Sequence, residues 1–184
     1  LSKEYICIAE AVMLGLILYL TILITAAGAG YMAARTYENR VIHLEDLILV
    51  LKILRSEMEY RNDPLPELME RIARRMTGKA GDFLNAVCSF LKGDDRYDFY
   101  DSWKEAVNKI YGESALAESD RSILSRAGIE LGKTDMSNQL ALFAHLFDRL
   151  EEQKKEADEE RRIKSRICRT LGISLGVLAV IVLL

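Results

Sequence analysis

The chain predicts an all-α fold, a six-helix cytosolic bundle flanked by N-terminal and C-terminal transmembrane helices. Three observations carry it. Through the middle of the chain apolar residues recur at spacings of three and four, with no sustained alternation of the kind a strand needs. Apolar residues make up 50% of the sequence although 29% is charged, so the apolar excess must be unevenly placed. It is concentrated in Ala11 to Ala34 and Thr170 to Leu184, runs of 24 and 15 residues without a formal charge.

The first run, AVMLGLILYLTILITAAGAGYMAA, is long enough to cross a bilayer as a helix. It is also longer than the apolar part of a secretory signal, so a retained anchor is expected. Gly28, Gly30, Ala33 and Ala34 give it one face of small residues, against which another helix can pack closely. Leu44, Leu47, Ile48, Leu51, Leu54 and Met58 then define an amphipathic helix from His43 to Tyr60.

That helix runs into SEMEYRNDPLPELMERIARRM, residues 56–76, where two prolines interrupt strong helix formers. Asp63 precedes Pro64 and is pushed out of helical geometry, so the helix should stop by Arg61 or Asn62. Pro66 can sit in the first turn of the next helix, where a missing N–H costs nothing. The stretch reads as a corner: Leu65 packs between the two helices, and Tyr60 stacks over the turn with its hydroxyl tying it down.

The second helix carries Leu68, Met69, Ile72 and Met76 and stops at Thr77-Gly78. Phe83, Leu84, Val87, Phe90 and Leu91 mark a third, closed by Lys92 to Asp95. A fourth runs from Phe99 to Ile110 with Trp103, Val107 and Ile110 as its buried stripe. Ser119 or Asp120 caps a fifth, which presents Ile123, Leu124, Ala127 and Leu131 and ends near Gly132. The last begins at Asp135, whose carboxylate can cap it, and carries Leu140, Phe143, Leu146, Phe147 and Leu150.

Its continuation, EEQKKEADEERRIKSR, has almost no apolar face, so it either stands in solvent as a stalk or pairs with another helix. The closing apolar run is about 22 Å long as a helix, against a hydrocarbon thickness of roughly 30 Å. It spans if Ile167 and Cys168 enter the apolar zone while Arg169 snorkels. Arg35 and Arg40 follow the first run, and Arg161, Arg162, Lys164, Arg166 and Arg169 precede the second. The positive-inside tendency therefore puts the middle in the cytoplasm and both termini outside. The expected organisation is an N-terminal transmembrane segment at 1–34, a cytosolic helical bundle at 35–166 and a C-terminal transmembrane segment at 167–184.

A net charge of −3 gives no reason to expect a nucleic-acid partner, and the basic cluster at 161–169 is better placed to meet lipid headgroups. Cys7, Cys88 and Cys168 have no metal-ligand spacing and read as small hydrophobes. His43 and His145 each lack a ligand-spaced neighbour, and His145 between Phe143 and Phe147 reads as core or boundary packing. No phosphate loop, dinucleotide fingerprint, zinc-protease motif or nucleophile elbow occurs. The carboxylates among Glu57, Glu59, Glu67 and Glu70 alternate with Arg61, Arg71, Arg74 and Arg75, as ion pairs on a solvated helix surface do. No catalytic, cofactor or metal residue is expected, and the chain reads as not an enzyme.

Two segments have polar residues that look placed: EMEYRNDPLPE with Glu57, Tyr60, Pro64, Leu65 and Pro66, and LGKTDMSNQ with Leu131, Gly132, Asp135 and Gln139. Together with GAGYMAAR at the close of the first apolar run, they resemble the stage III sporulation protein AB family of endospore-forming bacteria. The resemblance covers essentially the whole chain, with Met58 standing where the family usually carries an aliphatic residue such as Ile. It implies a cytosolic bundle similar to the cytoplasmic domain of type II secretion system F proteins. It also implies a place in the mother-cell membrane facing the forespore, serving a transenvelope channel with a secretion-type ATPase, the stage III sporulation protein AA.

The expected function is thus a noncatalytic membrane platform that docks the ATPase and meets other channel membrane proteins and membrane lipid. Candidate contacts are Glu57, Arg61, Glu67 and Arg71, with Asp135 and Gln139 as a second patch. Two other classes stand beside it. One is a structural homo-oligomeric scaffold joined through residues 151–166. The other is a small membrane-bound hydrolase, which would need a convergent polar pocket around His145 or the acidic pairs.

Overall fold

In the computed structural model, residues 2–61, 63–93, 98–131 and 136–183 are described; for residues 2–12, 16, 61, 130, 136, 137, 139 and 183 the description is of backbone only. Among them the chain is helical without a strand: α1 (Ser2–Arg61), α2 (Leu65–Ala73), α3 (Lys79–Gly93), α4 (Phe99–Tyr111), α5 (Glu118–Leu131), α6 (Met136–Glu160), a π-helical turn Arg161–Ser165, and α7 (Arg166–Leu183). The chain divides into two compact units. One comprises residues 39–159, the other residues 1–38 with 160–184.

The larger unit is a bundle of six helices, the C-terminal part of α1 together with α2 to α6. Its core is the set of stripes that periodicity marks out: Leu44, Leu47, Leu51, Leu54 and Met58 from α1, Leu68 and Met69 from α2, Phe83 and Leu84 from α3, Trp103 and Val107 from α4, Leu124 from α5, Phe143 and Leu150 from α6. Each lies on one face of its helix, so burying the stripe covers the apolar surface while leaving the charged face wet. Leu65, Met76, Phe90, Leu91 and Ile110 pack partly buried against that core.

Trp103 organises the centre. Its indole N–H donates to the Leu124 carbonyl at 2.7 Å, and its ring meets Phe83 edge-on at 4.8 Å between centroids. Gly128 makes room for it, since a Cβ at that position would lie 2.4 Å from Trp103 Cδ1. Local signals set several boundaries. Asp98 caps α4 by accepting from the Asp101 N–H at 2.8 Å, and Gly78 takes a positive φ of 83° in the turn before α3. In α5 the cap works from inside the helix: Asp120, in the third position, accepts from the Ala117 N–H at 2.9 Å.

Asp120 has a second partner that corrects the reading of Arg40 as a membrane-flanking charge. Arg40 is buried and forks onto the Asp120 carboxylate, Nε to Oδ2 at 2.9 Å and Nη2 to Oδ1 at 3.0 Å, with Gln153 Oε1 also accepting from Nη2 at 3.2 Å. The polar arm of α6 is likewise not a free stalk up to residue 159. Lys154 pairs with Glu45 at 3.0 Å, Glu151 with Lys52 at 3.1 Å, and Ala157 is fully buried. The arm lacks an apolar stripe because it pairs with α1 through charges and one small residue.

In the smaller unit the first part of α1 and α7 lie antiparallel, since Gly30 meets Gly172 while Ala26 and Leu23, nearer the N-terminus, meet Gly176. The small-residue face differs in membership from the expected one. Ala26 and Gly30 line the contact and Ala34, one turn further on, is fully buried, whereas Gly28 faces open space and Ala33 is exposed. The spacing of four keeps those three on one side of a helix. Glu38 pairs with Arg169, and both Arg35 and Arg169 lie over the Tyr31 ring. Segments toward each end are long and apolar enough to cross a membrane, and they bury little of that surface, with Met13, Leu14, Ile17, Leu175, Leu178 and Ile181 exposed.

Candidate functional site

The corner between α1 and α2 follows from proline chemistry. Helix α1 ends at Arg61, Pro64 takes the extended geometry of an N-cap, φ −57° and ψ 139°, and Pro66 occupies the first turn of α2. The Pro64 carbonyl accepts from Glu67 N–H at 3.0 Å and Leu68 N–H at 3.2 Å, which starts the helix. Leu65 packs half-buried against the core.

Tyr60 does not stack over the turn. It is 87% exposed and makes no hydrogen bond among the described residues, because at the last turn of α1 its position faces away from the buried Met58 stripe. The tie is instead an ion pair, Arg71 Nη2 to Asp63 Oδ2 at 2.6 Å, linking the turn to the helix that follows it.

Around that pair the structure gathers a shallow cleft of about 280 Å³ lined by Asp63, Glu67, Glu70, Arg71 and Arg74. The hydrogen bond to Asp63, aided by the charges of Glu57 and Glu67, raises the pKa of Arg71 and holds it cationic. Hydrogen bonds from Lys92 of α3 and then from Arg74 hold the Glu70 carboxyl below its usual range. Arg71 Nε is buried without a hydrogen-bond partner among the described residues. Glu67 is exposed, and Glu57 is half-buried near Arg71. Of the four residues expected in the first patch, Glu67 and Arg71 line the cleft, while Glu57 lies outside its lining with its charge acting on Arg71. Arg61 ends α1, but its side chain is outside the described residues, as are Asp135 and the side chain of Gln139.

Of the core-or-boundary expectation for His145 the core half does not hold: it is exposed, on the surface of α6 beside the buried Phe143 and Leu146. His43 is partly buried beside Tyr111, at 6.3 Å between ring centroids, and burial, reinforced by Lys79, pushes its pKa down. Tyr111 is fully buried with its hydroxyl unpartnered among the described residues, and burial drives its pKa up. Cys88 is buried and its thiol pKa is raised by burial, the behaviour of a packing residue. Among the described residues no three of His, Cys, Asp and Glu converge as metal ligands would. The pairing of Arg40 with Asp120 was not visible in sequence, where 80 positions separate them.

Fold and surface define an all-α protein that presents a charged corner on a helical bundle and carries an apolar helix toward each end, an arrangement compatible with membrane association. The stage III sporulation protein AB family model matches residues 15–184, and the chain belongs to that family. The stage III sporulation protein AB of Bacillus subtilis (strain 168) is 23% identical over 173 residues, covering 94% of this chain and 100% of that protein. A solved structure of a stage III sporulation protein AB superposes with a TM-score of 0.60 at 20% identity. It covers 67% of this chain and 96% of its own, a likeness of fold.

Proposed function

We propose that this chain is a noncatalytic membrane platform in a sporulation transenvelope channel, seated in the mother-cell membrane facing the forespore. Its bundle stands in the mother-cell cytoplasm and docks a secretion-type ATPase of the stage III sporulation protein AA kind. The family supplies the sporulation setting, and the apolar terminal helices support a membrane seat. The observation that carries the docking reading is the corner cluster, where Glu67 and Arg71 stand beside one another at the edge of a cleft lined entirely by charged residues. Exposed ion pairs contribute little to stability, so a partner can exchange them for intermolecular pairs at small cost and gain orientation.

The other two classes gain less. A scaffold joined through residues 151–166 would need an arm that α1 already engages through Lys52 and Glu45. A hydrolase would need a convergent polar pocket around His145 or the acidic pairs; His145 is exposed and makes no ion pair among the described residues, and in the corner cleft Asp63 is engaged by Arg71 and Glu70 by Arg74 and Lys92.

The test is binding of the purified ATPase to the full chain in lipid nanodiscs. Glu67→Arg and Arg71→Glu should each weaken binding about ten-fold, near 1.4 kcal/mol, while Lys104→Glu on α4 leaves it unchanged. Glu67 is the cleaner probe, because it makes no ion pair among the described residues. Wild-type affinity in both corner variants would remove the corner as the docking surface.

A further inference from the structure

A second surface, between α5 and α6, differs from the corner in chemistry. A groove of about 350 Å³ has an apolar floor that includes Ile123 and Ala127 of α5 with Phe143 and Leu146 of α6. Its rim carries an arginine on each wall, Arg126 from α5 and Arg149 from α6, with the imidazole of His145 beside the latter. Among the described residues no carboxylate lines it, in a chain with 28 acidic and 25 basic residues. All three rim residues are exposed, and among the described residues neither arginine makes an ion pair. Elsewhere in the bundle, cations such as Arg40, Lys52, Arg71, Arg74, Lys92 and Lys154 are matched to acids.

We propose that this groove binds an acidic amphipathic helix of a partner protein, an apolar stripe entering the floor and flanking carboxylates meeting Arg126 and Arg149. Three features favour that occupant. The walls are two helices, and the contributing residues of α5 span Ile123 to Leu131, about 12 Å, which is roughly two turns of a docked helix. The cations are spread over both walls, which suits carboxylates spaced along a helix better than a single headgroup. The floor is apolar while its rim is charged, so affinity would come from burial and orientation from the rim.

A fluorescein-labelled 18-residue peptide with Leu at i, i+3, i+4 and i+7 and Glu on both flanks provides the probe, read by fluorescence anisotropy on the full chain in nanodiscs. It should bind saturably, and its Gln-for-Glu twin at least ten-fold more weakly. Arg126→Glu with Arg149→Glu should cost the Glu peptide at least ten-fold, while Arg71→Glu at the corner should not change its affinity. A Lys-for-Glu peptide should bind the double variant better than the wild type, which also shows that the variant is folded. Equal binding of the Glu and Gln peptides, or unchanged binding by the double variant, would overturn the proposal. So would saturable binding of oleate with neither peptide bound, or self-association of the chain that blocks the peptide.

Discussion

Asp120 holds a charge with almost no access to water, and its stability depends on Arg40 and the Ala117 N–H remaining in place. Removing one partner of a buried pair costs about 3–5 kcal/mol because the other charge is stranded, whereas replacing both with apolar groups can be nearly neutral. Asp120→Ala is therefore expected to lower the melting temperature by roughly 10 °C, given about 2–4 °C per kcal/mol at this chain length. Arg40→Met combined with Asp120→Leu should recover most of that loss. A single variant that melts within a degree or two of wild type in detergent would show that the pair is not buried as described. Such a residue is poorly legible in sequence: Arg40 follows an apolar run, and only its spatial partner distinguishes a core arginine from a membrane-flanking one. Tyr60 fails for the opposite reason, since a Tyr near a proline turn is as compatible with solvent as with stacking until the helix phase is known.

Several helix boundaries, by contrast, were legible because their causes are local, though the start expected at His43 was not, since α1 runs unbroken from Ser2 to Arg61. Asp98 accepts from Asp101 N–H at the start of α4, Pro64 and Pro66 set the start of α2, and the apolar periods mark the buried faces. Which helix packs on which is not local, and Gly128 illustrates it. In α5 it reads as a weak point in a helix, yet its function is to admit the Trp103 ring of α4. Gly128→Ala sets two effects against each other: up to about 1 kcal/mol gained from helix propensity, and about 1–3 kcal/mol lost to overpacking. The 2.4 Å approach to Trp103 Cδ1 lets overpacking win, so the variant should unfold at lower urea concentration than wild type. In a Trp103→Phe background, where the smaller ring leaves space, the same substitution should cost less. If the two backgrounds respond alike, the glycine is not there for the indole.

At the scale of the whole chain, the apolar ends and the small-residue character of the first were plain from composition, and the partner and register of the contact were not. A helix offers several small positions, and only the facing helix selects among them; here α7 selects Ala26 and Gly30 over Gly28 and Ala33. The selection is strict because the neighbours are backbone. A Cβ on Gly30 would lie 2.6 Å from the Cys168 carbonyl oxygen, and one on Gly172 would lie 2.9 Å from the Ala26 carbonyl oxygen, atoms that no rotamer change can move. The same geometry supplies a reporter. A Cβ at Gly176 would sit 3.1 Å from Ala26 Cβ, close enough that small adjustments reach the roughly 3.5–4.5 Å a disulfide needs. In a background where Cys7, Cys88 and Cys168 are alanine, Ala26→Cys with Gly176→Cys should cross-link within one chain on mild oxidation of membranes, seen as a mobility shift reversed by reductant. Adding Gly30→Leu should reduce the cross-linked fraction several-fold by forcing α1 and α7 apart. Efficient cross-linking despite that leucine would mean that the helices meet through a different face.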